Sequence, residues 1–181
     1  MSKNQGKIFE SQWEASVPDY VKIYRPPDQA QSFGDRSSSK KIRFSRKSPF
    51  DFLLWDSKNR LLYSLELKTK EGKSISFERT KEDSGDIHYY QIDELNKWNK
   101  FDGIISGLVI EFREIHKVVF IGIDEMNKLM EVIPKKSFCF DDLELYGIEY
   151  IPIGCTLLRT RYKYDIDGFL NDILKSKFYD F

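Results

Sequence analysis

The chain has 181 residues, 32% of them charged and 40% hydrophobic, with a formal net charge of zero. It is long enough to bury a sizeable core, and one domain is the expectation over 1–181. No apolar run approaches the length of a membrane span, the N-terminus is polar with no visible signal peptide, and Cys139 and Cys155 form neither a C-x-x-C pair nor a zinc pattern with His88 and His116. These features exclude membrane-embedded and zinc-finger classes, and the two thiols read as core residues of a reduced, intracellular protein.

Neutrality hides an asymmetry. Residues 1–50 hold ten Lys and Arg against five Asp and Glu, a charge of +5, so the rest of the chain carries −5. A basic arm on a mildly acidic body favours a polyanionic partner met by one part of the molecule.

In chain order, residues 4–16 read as a short helix with Ile8, Phe9 and Trp13 on one side and Glu10 near its start. Val21 to Arg25 alternates as a strand and stops at Pro26-Pro27. Residues 28–48 are polar, and their second half carries Arg36, Lys40, Lys41, Arg43, Arg46 and Lys47 with no acid among them. A connection this long in a compact domain is functional or disordered. It reads as a projecting basic arm that contacts phosphates, against the plainer reading of a solubilising loop.

Phe50 to Trp55 and Leu61 to Lys68 then read as two strands around the polar turn at residues 56–60. The side-chain period of a strand is two, so Glu66 and Lys68 share a face, and the hairpin brings Asp51 beside them. Two carboxylates and an ammonium at one spot suit a divalent cation held by carboxylate oxygens, with the lysine beside an attacked phosphate. The alternative is a cross-strand salt bridge on a solvated face. The flanking apolar residues argue for burial, and buried charges need a partner, a metal or a function.

Ser74 to Phe77 is a short strand-like stretch, and His88 to about Lys100 is a helix with Tyr90, Gln91, Leu95 and Trp98 on related turns. His88 is expected to help begin this helix or to touch a phosphate. Gly107 to Phe112 and Lys117 to Ile123 are buried-type strands. Asp124 is placed to cap a helix starting near Glu125. A helical turn at Asp141 to Tyr146, a strand from Ile148 to Cys155 and an amphipathic helix from Asp167 to Lys177 complete an α/β or α+β sheet domain with helices on its faces.

Four pieces in this order resemble the RecU-type Holliday junction resolvases of the PD-(D/E)XK nuclease superfamily: Gly6-Lys7-Ile8-Phe9-Glu10, Ser48-Pro49-Phe50-Asp51, Glu66-Leu67-Lys68, and Ser74-Ile75-Ser76-Phe77 with the helix around Gln91. The resemblance runs to about residue 125 and looks like a pared-down, phage-encoded member. It implies a restriction-endonuclease-like core, a mixed central sheet flanked by helices, with residues 26–48 as a basic stalk. It further implies a homodimer that uses Mg²⁺, with Mn²⁺ as the alternative, to cleave four-way-junction DNA in the cytoplasm. Asp51 and Glu66 would hold the metal, with the Leu67 carbonyl and Glu10 as further ligands. Lys68 and Gln91 would act in catalysis, and Lys7 with the arm residues would bind DNA. For Glu10 the plain reading is a solvated or capping glutamate, and for Gln91 a polar residue on a helix shoulder.

Overall fold

The hairpin forms as its periodicity predicts, and the rest of the main sheet assembles around it. A computed structural model describes residues 3–27 and 48–176. The basic arm residues Arg36, Lys40, Lys41, Arg43, Arg46 and Lys47 lie outside the described residues. Strand β2 spans Phe52–Asp56 and β3 spans Leu61–Lys70, antiparallel with Leu54 opposite Tyr63. Asp56 is fully buried and makes the turn: its carboxylate accepts the Lys58 and Asn59 backbone N–H groups and the Asn59 side-chain amide. Arg60 closes the turn in the left-handed region at φ 57°.

On one side of the hairpin, β1 (Val21–Tyr24) pairs antiparallel with β2. On the other, β5 (Ile104–Phe112) runs parallel to β3, then β6 (Lys117–Gly122) and the two-residue β8 (Ile151–Pro152) follow antiparallel. The result is a mixed six-stranded sheet in the order β1-β2-β3-β5-β6-β8. A parallel pair needs a crossover, and helix α2 (Tyr89–Trp98) lies within the one joining β3 to β5.

Helices cover both faces. Helix α1 (Lys3–Glu14) and α5 (Ile166–Leu174) seal one face through Phe9, Trp13, Phe169 and Ile173, packed on Leu65, Leu67 and Val109. On the other face, α2, α3 (Ile123–Val132) and α4 (Phe140–Leu145) pack Leu95, Met126 and Leu143 over Leu108 and Ile110. Gly107 sits in the centre because a Cβ there would stand 2.4 Å from the Ile121 carbonyl oxygen and 2.5 Å from the Phe120 ring. Among the described residues no helix is long and apolar enough to cross a membrane. The observed architecture is the mixed α/β sheet flanked by helices that the resemblance implies.

Several expectations need correction. The strand at 148–155 is divided: Ile151–Pro152 closes the sheet edge, while Cys155–Leu157 (β9) turns away to pair with Tyr162–Tyr164 (β10). Pro152 has no N–H to donate, which confines this segment to an edge. The short strand expected at Ser74 does form, as Ser74–Ser76 (β4), and lies outside the main sheet, paired with Ser137–Cys139 (β7). Asp124 does not cap α3, because the helix starts one residue earlier, at Ile123. Its carboxylate accepts from Asn99 Nδ2 and lies in the first turn, where a negative charge suits the helix dipole. Ile8 is 38% exposed, turned off the Phe9–Trp13 stripe. Neither cysteine is a full core residue: both are half-buried and free, and Cys139 caps α4, its N–H donating to Asp142 at 2.7 Å.

Candidate active site

Strand β3 carries the centre of the site. Leu65 and Leu67 point into the α1/α5 core, so Glu66 and Lys68 project from the opposite face, in register with Leu108 and Ile110. Burial there is near complete: Glu66 is 3% exposed. Lys68 Nζ lies 2.9 Å from Glu66 Oε1. The same oxygen accepts from Gln91 Nε2.

Asp51 immediately precedes β2. Its backbone N–H donates to the Leu65 carbonyl, and its Oδ2 accepts the Leu67 N–H at 2.8 Å. In an extended strand the N–H and C=O of one residue leave from the same edge. The Leu67 carbonyl therefore projects from the edge where Asp51 sits. Among the described residues, Asp51 Oδ1 and Glu66 Oε2 accept no hydrogen bond.

Glu10 is turned toward Arg25, with which it forms an ion pair. It remains close enough that its charge raises the pKa of both Asp51 and Glu66. Arg25 also stacks 5.6 Å over the Phe52 ring. Gln91 is held at both ends, since its Oε1 accepts the His88 N–H at 2.9 Å while its amide nitrogen reaches Glu66. His88 is the N-terminal cap of α2, with its ring on Glu78 at 2.8 Å. Lys7 is exposed on α1, about one helical turn before Glu10. The arm residues expected to bind DNA lie outside the described residues.

Charge is unbalanced at this spot. Three carboxylates, Asp51, Glu66 and Glu10, face two cations, Lys68 and Arg25. Burial pushes the Asp51 carboxyl up to about 6, with Glu10 adding to the rise and the Leu67 N–H, Lys68 and Arg25 opposing it. Burial likewise pushes Glu66 up to about 8 against the opposing Lys68. A plain salt bridge would leave both carboxylates comfortably ionised, and this cluster does not.

A divalent cation answers that imbalance. Among the described residues no three His, Cys, Asp or Glu side chains form a cage for an ion. Mg²⁺ needs no cage: it takes one or two carboxylates, keeps several waters and completes its shell with substrate phosphate oxygens. The donor set of Asp51, Glu66 and the Leu67 carbonyl fits that demand.

A pH effect follows from the raised carboxyls. Both bind protons more tightly folded than unfolded, so their contribution to stability is complete below about pH 4 and is lost as pH rises through about 6 and 8. A bound cation restores it, and protons compete with the cation. The Mg²⁺-induced rise in Tm is therefore larger at about pH 8.5 than at about pH 5.5. Equal shifts at both pH values, or a shift that survives in the D51N/E66Q double variant, would contradict this.

Sequence reasoning missed Arg25 as part of the cluster. Its placement depends on the β1–β2 register, Tyr24 opposite Leu53, which no local pattern reveals. It also missed the pairing of Lys70 with Asp86 at 2.8 Å, which neutralises the next basic residue along the Glu66–Lys68 face.

No family model and no curated protein matches the chain. Among solved structures, Hjc from Archaeoglobus fulgidus, a Holliday junction resolvase from an archaeal hyperthermophile, overlaps 80% of this chain and 93% of its own at 11% identity, with a TM-score of 0.42. At that score the overlap bears on neither activity nor partner.

Proposed function

We propose that the chain is a metal-dependent DNA endonuclease that resolves four-way junctions by paired nicks, a RecU-type enzyme. The observation that carries the reading is the convergence of Asp51, Glu66 and Lys68 at a buried, negatively unbalanced spot beside the Leu67 backbone. A divalent ion bound there, Mg²⁺ or Mn²⁺, supplies an acidified water and neutralises charge on a phosphoryl oxygen.

The residues of the chain divide the remaining work. Asp51 and Glu66 supply the negative oxygens, and the Leu67 N–H fixes the Asp51 carboxylate. The role assigned to the Lys68 ammonium, which is 16% exposed, is to offset the negative charge that grows on the phosphate as the bond breaks. Gln91 orients the Glu66 carboxylate, with its own amide fixed by the start of α2. Glu10 and Arg25 set the field around Asp51. Lys7 and the basic arm contact DNA phosphates, and the arm, as a stalk, gives preference for the branch. Symmetric nicking needs two such sites about a twofold axis, so the working form is a homodimer, acting on DNA in the cytoplasm.

The test is cleavage of a labelled four-way junction and a sequence-matched linear duplex, each with Mg²⁺ and with chelator. The expected result is metal-dependent paired nicks on the junction. Equal cutting of both substrates would mark a restriction- or repair-type duplex nuclease. Junction binding without cleavage would mark a non-catalytic DNA-binding protein.

A further inference from the structure

The β9–β10 hairpin is unused by the catalytic reading and stands apart from the main sheet. Among the described residues its two strands pair only with each other, Leu157 opposite Tyr162 and Cys155 opposite Tyr164. Residues 155–164 contain Arg159, Arg161 and Lys163 and no acidic residue. All three basic side chains are exposed, and none forms an ion pair with a described residue. Leu157 beside them is 65% exposed. Elsewhere on the surface Lys58, Lys97, Lys128, Lys135, Lys136 and Lys175 are each matched by a carboxylate. Other cations without an ion pair among the described residues, such as Lys22, Arg60 and Lys100, are scattered singly, whereas the hairpin sets three within five residues.

The base of this hairpin is fixed to the elements that build the candidate active site. Tyr164 is buried, and its hydroxyl donates to Glu111 at 3.2 Å. Glu111 also accepts from Thr69, the residue after Lys68, at 2.6 Å. On the other side, the Tyr162 N–H donates to Gln12, within the helix that carries Glu10, and the Tyr164 N–H to Ser16 in the turn after that helix. On the ribbon face opposite Arg161 and Lys163, Tyr162 and Cys155 share a small cleft of about 80 Å³ with Glu111, Arg113 and His116 at the end of β5.

We infer that this hairpin is a second DNA-binding element, gripping the phosphate backbone of a duplex arm that leads away from the cut. The inference rests on the nuclease reading for its choice of partner. Unpaired cations held on an anchored two-stranded ribbon suit a duplex, which carries one negative charge per about 1.7 Å of axis and admits a β-ribbon in its major groove. The anchoring through Glu111, Thr69 and α1 keeps the ribbon in a constant relation to Glu66 and Lys68.

The experiment compares three full-length proteins for binding to a labelled four-way junction and a linear duplex across a salt series, with chelator present so that nothing is cut. They are wild type, the triple variant R159Q/R161Q/K163Q, and a control, R60N/K100Q, which removes charges at the opposite end of β3. The triple variant is expected to bind about tenfold or more weakly at moderate salt. Its log K against log salt slope falls by about 3, one step of about 0.9 for each lost phosphate contact. The control and the Mg²⁺-induced Tm shift stay at wild-type values, which shows the fold and the site intact.

A triple variant with wild-type affinity and salt slope overturns the inference, as does wild type that binds no DNA. So does hairpin-dependent binding to anionic phospholipid vesicles with DNA affinity unchanged. A wild-type protein that binds DNA through the hairpin yet never cuts it with Mg²⁺ sinks the nuclease reading and leaves this one standing.

Discussion

Under the proposed function, Lys68→Ala is expected to lower junction cleavage by about 10²–10³-fold while leaving DNA affinity within about threefold of wild type. The reason is positional. Lys68 stands 2.9 Å from Glu66, on the face of β3 opposite Leu67, largely enclosed by the sheet and α2. Long-range attraction of DNA comes from exposed cations, so losing one mostly enclosed ammonium changes encounter little. In the proposed reaction the same charge would act on the phosphate in a water-poor setting, where it counts most. Lys68 also restrains the rise of the Glu66 pKa, so its removal pushes that carboxyl further toward protonation, and the residual activity requires higher pH. Lys68→Arg gives little rescue, because a planar guanidinium does not reproduce a compact ammonium between Glu66 and the phosphate. Single-turnover cleavage alongside anisotropy binding separates the two effects. Activity of Lys68→Ala within tenfold of wild type would remove the lysine from the chemistry.

Trp13→Ala is expected to cost about 3–5 kcal/mol of stability, the range for deleting a large buried aromatic side chain. For a chain of this size that lowers Tm by on the order of 10 °C. Trp13 is wholly buried and meets three rings at once: Phe9 at 6.3 Å, Tyr164 at 5.7 Å and Phe169 at 6.0 Å. Its removal opens a cavity where α1, the base of the β9–β10 hairpin and α5 join. The same helix carries Glu10, so loosening it also frees the Glu10–Arg25 pair that sets the field at Asp51. Trp13→Phe keeps part of the ring contact and loses less. Thermal melting of both variants checks the ordering, and a Trp13→Ala melt within about 2 °C of wild type would show that this cluster is not the keystone of the α1 face.

The site was more legible in the sequence than the periphery of the fold. Parity along Leu61–Lys68 alone puts Glu66 and Lys68 on one face, and a polar turn after Trp55 returns the chain beside Asp51. These are local rules. Arg25 enters the cluster through a strand register, and β4 meets β7 across more than fifty residues of sequence, so neither has a local signature. The β9–β10 hairpin was hidden for a different reason. Its turn, where the Leu158 N–H meets the Arg161 carbonyl, contains none of the Gly, Asn, Asp or Pro that normally mark a tight connection. Pro152 and Gly154 were the available clues, since together they interrupt what otherwise reads as one strand from Ile148 to Cys155.

A calorimetric titration of the DNA-free chain with Mn²⁺ near pH 8 weighs the whole account. The expectation is one ion taken up by each polypeptide, with uptake abolished when Asn replaces Asp51 and Gln replaces Glu66 together. Undiminished uptake by that doubly neutralised protein, still folded, would mean the paired acids beside Leu67 do not hold the ion and that hydrolysis cannot originate there.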